Sequence, residues 1–257
     1  MDTLHCPFVW YELMTSDDEA ATAFYSQVIG WQTADAGMPG MRYTLLSAGG
    51  AVIAGLMTLP QAACDAGARP GWVGYVGVDD VDAMVLRLQQ AGGQLHRPPE
   101  DIPGVGRFAV VADPHGASFC LFRGNDAEQP PQPPMGTPGT VGWHELAAGK
   151  LDSAWAFYSS LFGWRMDSDM DMGEMGVYRL FAAGAGVIGG MMDKPAQMPQ
   201  PGWLYYFNTE AIDAAQARVT AAGGQVLNGP AEVPGPMWIL QCLDPQGAAF
   251  ALVAPKR

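Results

Sequence analysis

The sequence predicts an α+β chain of four βαβββ modules in two tandem domains, 1–123 and 141–257, joined by a Pro-rich linker, 124–140. Three observations lead there. The run Phe8 to Asp17, with Phe24-Tyr25 and Gly30-Trp31 behind it, returns as Val141 to Leu146 followed by Phe157-Tyr158 and Gly163-Trp164. Repetition at one long period means that one fold is laid down twice. A shorter repeat lies inside the first half: Trp10 stands seven residues before Asp17 and Val73 seven before Asp80, each heading a strand that feeds a capped helix. Finally, residues 124–140 hold five prolines and little that could enter a core, the composition of a stiff linker.

In chain order, Phe8, Trp10, Glu12 and Met14 alternate with Val9, Tyr11, Leu13 and Thr15, the period of a strand covered on both faces. Ser16 or Asp17 can cap the following helix, which places Ala20, Phe24 and Val28 on one face and ends at Gly30. Strands follow at 42–46 and 51–57, parted by Gly49-Gly50. A strand at 72–78, a helix from Asp79-Asp80 through Leu88, a stop at Gly92-Gly93 and strands at 107–112 and 117–122 complete the first half. Asp113-Pro114-His115-Gly116 has the residue order of a type I turn. In the second half Tyr178 follows Tyr43, 186–192 follows 51–57, Pro201-Gly202-Trp203 follows Pro70-Gly71-Trp72, and Asp244 to Gly247 repeats the turn. A single module cannot cover both faces of its strands, so modules are expected to pair into curved mixed sheets with helices outside and a cleft inside.

With 49% hydrophobic residues in 257, each half can bury its own core. A net charge of -13 repels phosphate backbones and anionic membranes, which argues against nucleic acid and membrane partners. No apolar run is long enough to span a bilayer, and no signal-peptide pattern opens the chain. Cys6, Cys64, Cys120 and Cys242 show neither a Cys-x-x-Cys motif nor a histidine at zinc spacing, so they read as reduced thiols of a cytoplasmic protein, monomer or homodimer.

The strand-cap-helix unit ending Phe24-Tyr25 and Gly30-Trp31, the Asp113 to Gly116 turn and their second copies resemble the vicinal oxygen chelate superfamily of glyoxalase I, bleomycin and fosfomycin resistance proteins and extradiol dioxygenases. The resemblance implies metal-ligand positions on the first strand of each module and near the end of its last. Carried across, these are Trp10, Ala54 or Gly55, Val73 and Cys120, then Trp143, Gly189 or Gly190, Leu204 and Ala251. Of these only Cys120 could ligate, and a lone thiol holds no metal tightly. No metal and no cofactor are expected.

What the cleft is expected to hold instead is a small organic molecule. If Trp10 faces it, period two sends Phe8, Glu12 and Met14 the same way, with Val73 and Tyr75 and with Ser118, Cys120 and Phe122; the second copy offers Trp143, Glu145, Leu204 and Tyr206. Trp10, Met14, Val73, Cys120, Trp143 and Leu204 are the expected ligand contacts. Glu12 with Tyr75, and Glu145 with Tyr206, are expected to approach across the cleft as catalytic candidates, since a desolvated carboxyl suits proton transfer. The alternative is a glutamate hydrogen-bonded only to escape burial unpaired. His144 reads as a core residue, His115 as solvent-exposed, Trp31 and Trp164 as core, and Arg42 and Arg179 as candidate anion partners. Cys120 could act as a nucleophile only with a lowered pKa, and the sequence places no cation beside it. Three readings stay open: a metal-independent binder of a partly aromatic or apolar ligand, as in the bleomycin-resistance branch; a glyoxalase-like lyase or isomerase with a glutamate base; and a scaffold whose clefts are filled by its own side chains.

Overall fold

A computed structural model of the chain describes residues 6–38, 40–125, 133–184 and 186–257; the linker stretch 126–132 lies outside the described residues. The first half runs β1 (Phe8–Thr15), α1 (Asp18–Val28), β2 (Gln32–Asp35), β3 (Tyr43–Ala48), β4 (Ala51–Thr58), α2 (Gln61–Asp65), β5 (Gly71–Gly77), α3 (Val81–Gln90), β6 (Gln94–Ile102), β7 (Gly106–Ala112) and β8 (Ser118–Gly124). The second runs β9 (Val141–Ala148), α4 (Leu151–Phe162), β10 (Arg165–Asp171), β11 (Val177–Ala183), β12 (Gly186–Asp193), β13 (Gly202–Asn208), α5 (Ile212–Ala221), β14 (Gln225–Val233), β15 (Met237–Leu243) and β16 (Ala249–Ala254). The fold is α+β, two eight-stranded mixed sheets ordered β2-β3-β4-β1-β5-β8-β7-β6 and β10-β11-β12-β9-β13-β16-β15-β14, with the helices outside.

The sequence signals for caps and turns act as expected. Asp17 and Asp80 cap α1 and α3, accepting from the Ala20 and Ala83 amides at 3.0 Å. The Asp113 turn closes through the Gly116 amide onto the Asp113 carbonyl at 3.0 Å. What the alternation pattern does not find is the strand directly after each helix. β2 is exposed throughout, β6 mostly so, and both lie at a sheet edge, where one face and one ladder side meet solvent and no apolar period is needed. An edge also tolerates Pro98-Pro99 inside β6, because fewer backbone amides there have a ladder partner to lose.

Packing groups the chain into two compact units that cut across the sheets. One is drawn from Met1–Val9, Val73–Gln129 and His144–Trp203, the other from Trp10–Trp72, Pro130–Trp143 and Leu204–Arg257. In the first unit α3 and α4 bury Val81, Met84, Val85 and Leu88 with Ala154, Phe157, Tyr158 and Leu161, around Phe119, Trp164 and Phe181. Its polar tie is Tyr158, whose hydroxyl donates to Asp113 at 3.4 Å and accepts from Trp203 Nε1 at 3.1 Å. The second unit repeats the device: Tyr25 donates to Asp244 at 3.1 Å and accepts from Trp72 Nε1 at 2.9 Å. Burial holds the Tyr25 hydroxyl well above its ordinary pKa and raises that of Asp244. The Phe-Tyr and Asp-Pro motifs legible in the sequence are therefore two ends of one buried bond, each turn carboxylate answering a helix of the other half. Trp31 and Trp164 are core residues, as expected, their indole N–H groups donating to the carbonyls of Gly139 and Cys6 at 2.8 and 2.9 Å.

Candidate functional site: a carboxylate clasped by tyrosine

On β1, Glu12 stands beside Gly55 of β4, and on β9, Glu145 stands beside Gly190 of β12. Residues side by side on neighbouring strands share a face, so Gly55 and Gly190, rather than Ala54 and Gly189, share the face of the glutamates. Each glycine is there for a ring. Tyr43, next along the sheet on β3, lies over Gly55, and a Cβ on Gly55 would collide with its hydroxyl; Tyr178 lies over Gly190 in the same way. The rings reach past the glycines to the carboxylates. Tyr43 donates to Glu12 at 2.7 Å and Tyr178 to Glu145 at 3.1 Å. In the first copy Trp10 Nε1 adds a bond to the Tyr43 hydroxyl at 3.1 Å, and Glu12 is 7% exposed. A buried carboxylate needs such a donor, since leaving it unpaired costs on the order of several kcal/mol.

The outer strands form a second pair of equivalent rows. In the first sheet Tyr75, Cys120, Val110 and Arg97 stand in register across β5, β8, β7 and β6. In the second the row is Tyr206, Ala251, Gln241 and Asn228. Tyr75 is flanked by the Phe108 and Phe122 rings at 6.4 and 6.1 Å, and the Arg97 guanidinium lies over Phe108 at 4.9 Å. Tyr206 instead accepts from Gln241 Nε2 at 2.7 Å, and Asn228 Nδ2 donates to the Gln241 oxygen at 3.3 Å. Half-buried Trp143, Leu204, Met237 and Ile239 pack on Tyr206, Ala251 and Val253.

Of the residues singled out from sequence, Trp10, Met14, Trp143, Leu204 and Glu145 are half-buried, whereas Glu12, Val73, Tyr75, Cys120 and Tyr206 are buried. Sequence reasoning passed over Tyr43 and Tyr178 as site residues. The signal lay in their equivalence between copies together with glycines on the neighbouring strand. Phe8 departs from expectation: it stacks on His144 at 4.4 Å and packs against Trp164 and Trp203 in the core. His144 is core as expected, with Nδ1 2.7 Å from the Ile188 carbonyl and burial lowering its pKa to about 4. His115 is half-buried rather than open, its Nε2 2.5 Å from Ser153 Oγ and its ring against Gly149.

The candidate anion partners are already engaged. Arg42 pairs with Glu19 and Asp18, and Arg179 with both oxygens of Asp169 at 2.8 Å and with Asp152 at 3.3 Å. Burial pushes the Cys6 and Cys242 thiols up to about 11 and about 12, which makes them poor nucleophiles. The metal chemistry that the fold family implies meets an ill-suited donor set. Where β4 and β12 would supply a ligand beside the glutamate, each has a glycine under a tyrosine ring, and among the described residues no three His, Cys, Asp or Glu side chains gather to hold an ion. No helix among the described residues is long and apolar enough to cross a membrane.

The family model of the Glyoxalase/Bleomycin resistance protein/Dioxygenase superfamily matches residues 8–121 and 140–252. The chain is 35% identical over 248 residues to "Putative glyoxylase CFP32" of Mycobacterium bovis, covering 96% of this chain and 94% of that one. It is 32% identical over 257 residues to the anthracycline biosynthesis protein DnrV of Streptomyces peucetius, covering 95% and 91%. Among solved structures it resembles the Mn(II)-bound glyoxalase of Novosphingobium aromaticivorans (TM-score 0.65, 17% identity, covering 98% and 82%). It also resembles homoprotocatechuate 2,3-dioxygenase of Brevibacterium fuscum in complex with 3,4-dihydroxyphenylacetate (TM-score 0.68, 16% identity, covering 98% and 80%). At such identities these likenesses concern the fold alone.

Proposed function

The chain belongs to the Glyoxalase/Bleomycin resistance protein/Dioxygenase superfamily, and from that premise we propose that it is a metal-independent small-molecule-binding protein. Each half, 1–123 and 141–257, presents an indole and a clasped glutamate on a sheet face, and a partly aromatic or apolar organic ligand stacks on Trp10 in the first and Trp143 in the second. The observation that carries this reading is the tyrosine clasp. In both copies a phenol occupies the space over the glycine and engages the carboxylate, which leaves an organic surface where a cation would need ligands. A relative named for anthracycline biosynthesis supports a planar polycyclic ligand class.

Isothermal titration of the chelator-treated protein with an anthracycline aglycone tests the proposal. Saturable binding that weakens about tenfold in Trp10→Ala or Trp143→Ala is expected, the loss of one good aromatic contact. Binding that disappears on chelation and returns with Mn(II) would overturn it.

A second reading has one observation in its favour. Glu12 is buried with the Tyr43 hydroxyl oxygen 2.7 Å away, an arrangement suited to proton transfer, so the protein would be a lyase or isomerase of glyoxalase-like type with Glu12 or Glu145 as base. Turnover of a hemithioacetal by the chelated protein, abolished in the Glu12→Gln, Glu145→Gln double variant, would establish it in place of simple binding.

A further inference from the structure

The Asp113 turn carries a histidine that the proposed binding faces do not use, and the structure sets it against a serine. His115 Nε2 lies 2.5 Å from Ser153 Oγ, in the first turn of α4. The histidine is held from behind. Asp113 Oδ1 accepts from the His115 amide at 2.8 Å and the Ala117 amide at 3.0 Å, which fixes the turn, and the imidazole rests on Gly149, where a Cβ would collide with it. Ser153 Oγ is also 3.2 Å from the Lys150 carbonyl, but one hydroxyl proton serves its nearer acceptor, the ring nitrogen. Nε2 then accepts, and Nδ1 carries the ring's own proton.

Packing does not require this pair. The second unit makes the same turn at Asp244 with Gln246 in place of His115 and Ala20 in place of Ser153. There the Gln246 side-chain oxygen has no partner among the described residues, and the Tyr25 bond to Asp244 still forms. Turn and helix thus meet without a histidine or a serine, and what the first unit adds by having both is a hydroxyl in contact with a base. Ser153 is exposed, so a reactant can reach it. Beside it the Leu151 amide is taken by Asp193 Oδ1 at 2.6 Å and the Ala154 amide by the Lys150 carbonyl at 2.9 Å, while the Asp152 and Ser153 amides have no intrahelical carbonyl to meet.

We propose that Ser153 and His115 are a nucleophile and its base, a site apart from the sheet faces that takes an acyl group from small, activated carboxylic esters. Ser153 Oγ attacks the ester carbonyl carbon as its proton passes to His115 Nε2, and the negative oxygen that forms meets the two helix amides. The ester C–O bond then breaks, the alcohol leaves with the proton from Nε2, and the acyl group stays on Ser153. Water attacks in the same way, its proton passing through Nε2 to Oγ, and the carboxylic acid is released. The chain's charge of -13 disfavours an anionic acyl group, so the ester is uncharged.

Acetylation of the full chain by p-nitrophenyl acetate, stopped in acid, digested with pepsin and read by peptide mass spectrometry, tests the proposal. Ser160, exposed like Ser153 on the same helix, donates to the Phe157 carbonyl at 3.0 Å and is the internal reference. Ser153 is expected to acetylate about a hundredfold faster than Ser160, the gain that a positioned base supplies. His115→Gln, which installs the residue of the second unit, should bring Ser153 down to the Ser160 rate. Equal rates at the two serines of the native chain, a comparison that needs no variant, overturn the proposal, as does an unchanged Ser153 rate in His115→Gln. Neither result touches the binding role of the sheet faces.

Discussion

In the first half the row Tyr75, Cys120, Val110 and Arg97 packs with the Phe108 and Phe122 rings, Arg97 over Phe108; in the second the row is Tyr206, Ala251, Gln241 and Asn228, of which Asn228, Gln241 and Tyr206 are hydrogen-bonded in series. Phe108 and Phe122 pair in the first sheet where Ile239 and Val253 pair in the second. Two devices recur in both copies: tyrosine over glycine onto glutamate, and tryptophan to tyrosine to turn aspartate. The difference teaches where a duplicated fold is constrained. Groups that satisfy one another in the core must change together, whereas residues outside such pairs can change one at a time.

The strongest way to break the equivalence is to fill the glycines. Gly55→Ala and Gly190→Ala should each expel the tyrosine ring and leave a glutamate without its clasp, destabilising by roughly 3–5 kcal/mol from lost hydrogen bonding and overpacking. Urea unfolding checks this, and a small loss in only one copy would show that its ring has room to move.

Next in size is a pH effect confined to the second copy. His144 is neutral in the fold at a pKa of about 4, while the unfolded chain titrates near the ordinary 6.5. Between those values the unfolded state takes up a proton that the folded state refuses. Stability is therefore undiminished by this group above pH 6.5 and falls by about 3 kcal/mol as pH drops toward 4. Tyr11 has the equivalent place in the first half, and burial keeps its hydroxyl far above that range. His144→Phe should flatten the difference between pH 7 and pH 4.5 in chemical denaturation; an unchanged slope would place the titration elsewhere.

Smaller again is the contrast between the buried tyrosines. Tyr25→Phe should cost about 2 kcal/mol and Tyr158→Phe about 1, because the first bond to aspartate is 3.1 Å and the second 3.4 Å. Thermal unfolding of the pair would show whether the two units are equally secured. Least of all are the surface arginines: Arg179→Ala should cost no more than about 1 kcal/mol, and Arg42→Ala, half-exposed, less than Arg179→Ala in the same assay.

Much of the fold was legible in the chain. Asp17, Asp80 and the Asp113 turn carry their structural instruction within a few residues, and the Phe-Tyr and Gly-Trp repeats announce duplication. The edge strands were not, because β2 and β6 bury too little to leave a period. For the site, Glu12, Glu145 and the two indoles could be placed on a face by counting in twos. That Tyr43 and Tyr178 are the donors the glutamates hold could not, since a residue 31 or 33 positions away is brought there only by strand register and by the missing side chain of a glycine between.

Taken alone, the sequence determined what depends on near neighbours: period, caps, turns and the repeat itself, all governed by backbone geometry over a few residues. Tertiary structure decided which distant groups meet, such as Tyr25 with Asp244, Tyr158 with Asp113 and Gln241 with Tyr206. A buried hydrogen bond depends on separation and direction in space, and neither is carried by spacing along the chain.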